Sequence, residues 1–146
     1  MASSPLNQII CSGGIFLAKD TKRFLLLLRN QGKTAGTWGI VGGKKEPEDS
    51  TAYAALEREM KEEIGVVPKI KKVIPLELFT SEDQHFHFNT YMLIVDKEFI
   101  PTLNEEHSGY AWCEFESWPK PLHQGVKNSL NSKTIKAKLE VLLEVI

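Results

Sequence analysis

A chain of 146 residues fits one domain, residues 1–146, and can bury a core without disulfide or metal staples. Hydrophobic residues make up 42% and charged residues 25%, a composition of ordinary globular proteins and not of disordered ones. A formal net charge of -1 offers no positive field to hold a nucleic-acid backbone, so long nucleic acid is not the expected partner.

No stretch reaches the roughly 18 apolar residues that a membrane span requires, and no membrane partner is expected. The opening Met1-Ala2-Ser3-Ser4-Pro5 lacks a basic segment followed by an apolar one, which reads as a cytoplasmic protein. Cys11 and Cys113 fall in apolar, strand-like segments, where a free cysteine behaves as a small buried hydrophobe.

In chain order, the apolar run 8–17, broken at Gly13-Gly14, and the run 24–28 beyond a polar turn predict a strand hairpin. Residues 31–37 form a polar, glycine-bearing loop, and 38–41 a short strand that runs into Gly42-Gly43. Asp49, Ser50 or Thr51 can cap a helix from about Thr51 to Ile64, which Gly65 stops. Runs 73–80 and 86–95 predict a second hairpin, and 110–115 another strand after a polar loop. Pro119-Lys120-Pro121 makes a rigid break. Ser132 can then cap a final helix with Ile135, Leu139, Leu142 and Leu143 on its apolar face, leaving Lys133, Lys136 and Lys138 to solvent. Strands mixed with two or three helices indicate an α/β domain with a mixed sheet.

The chemistry lies on the central helix. At roughly 100° per residue, Glu59, Glu62 and Glu63 share one face, while Tyr53, Leu56, Met60 and Ile64 form the apolar face. Three carboxylates so close repel one another, and a divalent cation removes that penalty. Carboxylate oxygens are hard ligands suited to Mg²⁺, with Mn²⁺ as the alternative, and Mg²⁺ keeps water and phosphate oxygens among its ligands.

The segment Arg58-Glu59-Met60-Lys61-Glu62-Glu63-Ile64-Gly65-Val66 resembles the Nudix box, G-x5-E-x7-R-E-U-x-E-E-x-G-U with U apolar, at every position. Five fixed and two apolar positions match by chance about once in 10⁷ starts. Upstream, Trp38-Gly39-Ile40-Val41-Gly42-Gly43-Lys44 is similar to the family's W-x-x-P-G-G-K approach, with Val41 in place of proline. Downstream, Glu106-His107 followed by Trp112 is similar to its E-H...W segment. Before Arg58 the box carries one extra residue, so the upstream acid is Asp49 counted from Gly43 and Glu48 counted from Gly42.

The resemblance implies a Nudix α/β/α sandwich, a divalent metal, and a small-molecule nucleotide substrate whose pyrophosphate bond is hydrolysed. It implies Glu59, Glu62, Glu63 and the Gly42 carbonyl as metal ligands, and Arg58 as the residue that orients a glutamate through a bidentate pair. Arg29 matches a phosphate-binding arginine, Lys44 is a further substrate-binding candidate, and Glu106 is the candidate general base or additional metal ligand. Phe79 is a candidate to stack on a base, and His87, sharing a strand face with His85, to line the substrate pocket. ADP-ribose or a dinucleoside polyphosphate heads the substrate expectation, with nucleoside triphosphates and RNA 5′ ends as the alternative. A catalytically inactive nucleotide-binding module would have lost box glutamates, and none is lost here. The expected assembly is a monomer or homodimer.

Overall fold

The computed structural model describes residues 8–146, so the reading of Met1 to Pro5 lies outside the described residues. Strands β1 (Ile9–Ala18) and β2 (Arg23–Arg29) form the first expected hairpin, antiparallel with Leu17 opposite Phe24. The expected strand over 38–41 divides in two. β3 (Trp38–Gly39) pairs with β2, while β4 (Val41–Lys44) crosses to β1 and sets Gly42 opposite Gly13.

Helix α1 (Ala52–Ile64) begins where Thr51 Oγ1 accepts the Ala54 N–H at 3.0 Å, and it ends at Gly65, whose φ of 76° suits a residue without Cβ. Strands β5 (Lys72–Thr80) and β6 (Phe86–Val95) make the second hairpin, and β6 runs parallel to β1 from Ile9–Phe86 to Ala18–Val95. β7 (His107–Cys113) starts before the expected Tyr110 and pairs with β2 across a register shift at Leu28/Arg29. The sheet order is β3-β2-β1-β6-β5, with β4 beside β1 and β7 beside β2.

Alternation along β1 divides the core. Phe16 joins Leu56, Met60 and Ile64 of α1 on one face, whereas Ile15 and Leu17 pack with Ile135 and Leu139 on the other. The second group sits on α3 (Lys133–Val145), capped as expected by Ser132, whose Oγ accepts the Ile135 N–H. Lys138 of that helix does more than face solvent, since its Nζ donates to the Leu76 carbonyl at 2.7 Å and ties α3 to β5. Between the proline break and α3 lies α2 (Gln124–Leu130), a short helix that anchors through Leu130 and has too little apolar periodicity to be read from sequence. The result is an α/β/α sandwich around a mixed sheet, as expected. Truncating Leu56, wholly buried in the α1 layer of the core, to alanine would cost about 2–5 kcal/mol.

Candidate active site

β4 and α1 meet through the two glycines. A Cβ on Gly43 would stand 2.1 Å from Glu59 Oε2, and one on Gly42 would stand 2.2 Å from the Ser12 carbonyl oxygen. A side chain at Gly42 would collide with the β1 backbone, and one at Gly43 would displace the Glu59 carboxylate. The close approach lets the Gly42 N–H donate to Glu63 Oε1 at 3.3 Å, within a site where Glu63 is 3% exposed.

Glu63 also shares a hydrogen bond with Glu59. Burial, and then the negative charge of Glu59, push the Glu63 carboxyl up to about 9, so it holds a proton at neutral pH while no cation is bound. Burial raises Glu59 as well, against the pull of Arg58. Two carboxyl groups are thus pressed together in a site that favours neutralising their charge, by a proton or by a cation.

Arg58 stands behind this pair. Its Nε and Nη2 donate to the two oxygens of Asp49 at 3.1 and 2.9 Å, Nη2 donates also to the Lys44 carbonyl, and Nη1 reaches Glu62 Oε2 at 3.2 Å. The fork therefore selects Asp49 rather than Glu48 as the upstream acid. The extra residue is taken up in the turn, where the Glu46 N–H donates to Asp49 Oδ2 at 2.8 Å and the Asp49 N–H to the Glu46 carbonyl. Hydrogen bonding to Arg58 holds Asp49 below the usual carboxylate range. Glu62 stays half exposed on the Arg58 side.

A cleft of about 330 Å³ opens in front of the glutamate pair. Glu59, Glu63 and Glu106 supply its acid groups, Arg29 and Lys44 its basic ones, and Gly42 and Gly43 its floor, so these sequence candidates converge. Glu62 and Arg58 are not among its walls. Arg29 is steadied by donating from Nε to Thr34 Oγ1 at 2.6 Å. Glu106 is aimed by Asn104, which gives its Nδ2 to Glu106 Oε2 and takes the Glu106 N–H on Oδ1, both at 3.1 Å. Its neighbour His107 is buried, kept neutral by that burial, and does not line the cleft.

The other two candidates separate. Phe79 lines a second cavity, of about 290 Å³, between the sheet and α2, together with Phe86 and Phe88. His87 points to the opposite face of β6, pairs with Thr80 Oγ1 at 3.1 Å and lines neither cavity. The even-numbered residues of β6 take the cavity side, so the phase of the strand favours the phenylalanines. Cys11, Phe88, His123 and Val126 line the cleft without having been singled out for it; their only sequence signal was their place in or beside apolar runs.

A divalent cation fits this donor set. The oxygens are hard, the protonated pair marks a site short of positive charge, and the glycines leave room. Among the described residues no three His, Cys, Asp or Glu side chains are grouped closely enough to enclose a metal. A cation held by Glu59 and Glu63 would complete its shell with water and phosphate oxygens, as Mg²⁺ does.

Acids stand beside arginine and lysine in a cleft on an α/β/α sandwich. Residues 12–132 match the NUDIX domain family. The chain belongs to the Nudix family and is a Nudix pyrophosphohydrolase. A curated relative, the CTP pyrophosphohydrolase of Escherichia coli (strain K12), is 29% identical over 101 residues, covering 68% of this chain and 72% of the relative. The NUDIX domain of Shewanella oneidensis NrtR, solved with ADP ribose, superposes with a TM-score of 0.66 at 16% identity, over 90% of this chain and 88% of that one. A C. elegans Ap4A hydrolase gives 0.66 at 18% identity, over 93% of this chain and 99% of that one. At such identities these two likenesses show the fold. Nudix enzymes act on small nucleotides and generally use divalent metal ions. No helix among the described residues is long and apolar enough to cross a membrane.

Proposed function

We propose that the protein is a cytoplasmic, Mg²⁺-dependent hydrolase of a pyrophosphate bond in a nucleoside diphosphate linked to a second moiety, such as ADP-ribose or a dinucleoside polyphosphate. Mn²⁺ is the alternative cation. The observation that carries the reading is the Glu59–Glu63 pair, holding a proton against Gly42 in a cleft that also presents Arg29, Lys44 and Glu106.

In the reaction a water oxygen forms a bond to one phosphorus as the bond from that phosphorus to the bridging oxygen breaks, giving two phosphate-bearing products. Glu106, fixed by Asn104, takes the proton of the attacking water. Arg29 and Lys44 bind the phosphate oxygens. Glu59 and Glu63, ionised, would hold the cation with the Gly42 carbonyl as a further ligand, and Glu62 would join them as the third carboxylate on turning away from Arg58. A bound cation supplies charge neutralisation on the phosphate oxygens and a lowered pKa for its water. Arg58, tied to Asp49, keeps the helix in place and does not touch substrate.

A second reading, hydrolysis of a nucleoside triphosphate, is favoured by the likeness to the CTP pyrophosphohydrolase. The experiment is a panel of ADP-ribose, dinucleoside polyphosphates and the four ribonucleoside triphosphates with Mg²⁺, Mn²⁺ or chelator, with products identified by mass. Preferential cleavage of the two-part substrates supports the first reading, and preference for a triphosphate moves the assignment to the second. Undiminished turnover after exhaustive chelation defeats both.

A further inference from the structure

Arg29 ends β2 in the wall of the cleft, and the chain beyond it folds straight back onto it. The Gly36 N–H donates to the Arg29 carbonyl and the Arg29 N–H to the Thr37 carbonyl, both at 2.8 Å. Within the loop so closed, Thr37 Oγ1 donates to the Thr34 carbonyl at 2.7 Å, and the Ala35 N–H donates to the Gly32 carbonyl at 3.2 Å, completing a 3₁₀ turn over Gly32–Thr34. Gly32 and Gly36 take φ of 73° and 85° with open space where a Cβ would stand, so the turn itself asks for glycine there. The loop thereby presents the Thr34 hydroxyl to the side chain of Arg29, whose Nε donates to Thr34 Oγ1 at 2.6 Å.

That bond divides the guanidinium. The group donates in one plane, and with its Nε–H tied to the loop, Nη1 and Nη2 have no hydrogen-bond partner among the described residues. No acid among the described residues stands within ion-pairing distance of Arg29 either. Its stem lies beside Gly39, where a Cβ would stand 3.8 Å from both Arg29 Cδ and His123 Cβ, and His107 is its partner on β7. Burial, and then the charge of Arg29, keep both imidazoles neutral. Arg29 is therefore an unpaired charge whose two terminal nitrogens are unspent, and the loop hydroxyl sets the plane in which they lie. An arginine free to turn about its last bonds loses that freedom each time it binds; one held at Nε has lost it beforehand.

We infer that Thr34 is a positioning residue of the reaction: its Oγ1 holds Arg29 at Nε, so that Nη1 and Nη2 meet the phosphate oxygens of the substrate as a preformed fork. The inference rests on the phosphate-binding part given to Arg29 above and adds the group that aims it. Lysine in place of that arginine would have no Nε–H for the hydroxyl to hold.

The test compares Thr34→Val, which keeps the shape and removes the hydroxyl, with Thr34→Ser, which retains it, each alone and combined with Arg29→Lys, with thermal melting as the control. The substrate is the panel member that the wild type cleaves best. Thr34→Val should raise KM about tenfold and leave kcat within about threefold, the signature of lost binding common to ground and transition states, while Thr34→Ser stays within about threefold of wild type. Arg29→Lys should raise KM at least as far, and adding Thr34→Val to it should change KM by less than about twofold, because the hydroxyl has nothing left to hold. The Arg29 Nε–H, assigned by the loss of its NMR resonance in Arg29→Lys, should exchange slowly with water in the wild type and faster in Thr34→Val. A rapidly exchanging Nε–H in the wild type would overturn the inference with no variant needing to fold beyond the one that assigns it. So would a Thr34→Val KM within about threefold of wild type, or an equal effect of Thr34→Val with and without Arg29→Lys. A harmless Arg29→Lys would overturn the inference and the phosphate-binding part of Arg29 together, whereas a harmful Arg29→Lys beside a harmless Thr34→Val would overturn the inference alone. Absence of hydrolysis across the panel would refute the reaction, and the same variants would then be compared by the Kd of ADP for metal-free protein, with the same changes expected in Kd; failure of the wild type to bind ADP would overturn the inference as well.

Discussion

Binding of a divalent cation at pH 7 should release about one proton, because Glu63 is protonated in the free protein and must ionise to become a ligand. The carboxyl stands at about 9 when folded, against 4.5 as its ordinary value. Between those values the folded state holds a proton that the unfolded chain has lost. The stability contributed by that proton is complete below the unfolded value and disappears as pH rises through the folded one. Metal-free protein should therefore lose stability with rising pH, by at most about 1.4 kcal/mol for each pH unit from this group. Apparent Mg²⁺ affinity should rise by up to about tenfold per pH unit over neutral to mildly alkaline pH, then level off above about 9. Titration calorimetry in buffers of different ionisation enthalpy counts the protons released, and thermal melts with and without Mg²⁺ follow the stability. Glu63→Gln should bind without releasing that proton, and more weakly. Proton-free, pH-independent Mg²⁺ binding by the wild type would refute the coupling of Glu59 and Glu63 described above.

Three other perturbations probe the frame around the pair. Gly43→Ala forces Glu59 from its place, since the new Cβ would stand 2.1 Å from Oε2. It should lower kcat at least about 10²-fold with the melting temperature nearly unchanged, because the clash is with the far end of a side chain; unaltered kcat would show that Glu59 need not stand there. Asp49→Asn should reduce kcat well beyond the effect of Glu48→Gln, as only Asp49 holds the Arg58 fork; equal rates for the two variants would count against that fork. Glu106→Gln should slow turnover at least about 10²-fold while Glu105→Gln and His107→Asn lose far less, and a Glu106→Gln rate within about threefold of wild type, some 0.7 kcal/mol of barrier, would remove Glu106 from the reaction.

The glutamate face of α1 was legible in the amino-acid order because it depends on local geometry: a helix places residues three and four apart together whatever surrounds it. The same holds for the Thr51 and Ser132 caps, the Gly65 stop and the two hairpins, each decided by neighbours in sequence. Tertiary contacts decided the rest. Only packing of β4 on α1 turns Glu59 and Glu63 into the cleft while Glu62 stays with Arg58, and only the Arg58 fork distinguishes Asp49 from Glu48. Period-two alternation puts His87 and Phe88 on opposite faces but does not say which face meets α2, a helix held by its burial of Leu130 rather than by its own propensity. The apolar cavity beside the cleft is a property of the sheet closing against α2 and α3, with residues from Ile15 to Ile135 in its wall, and no local stretch of sequence contains it.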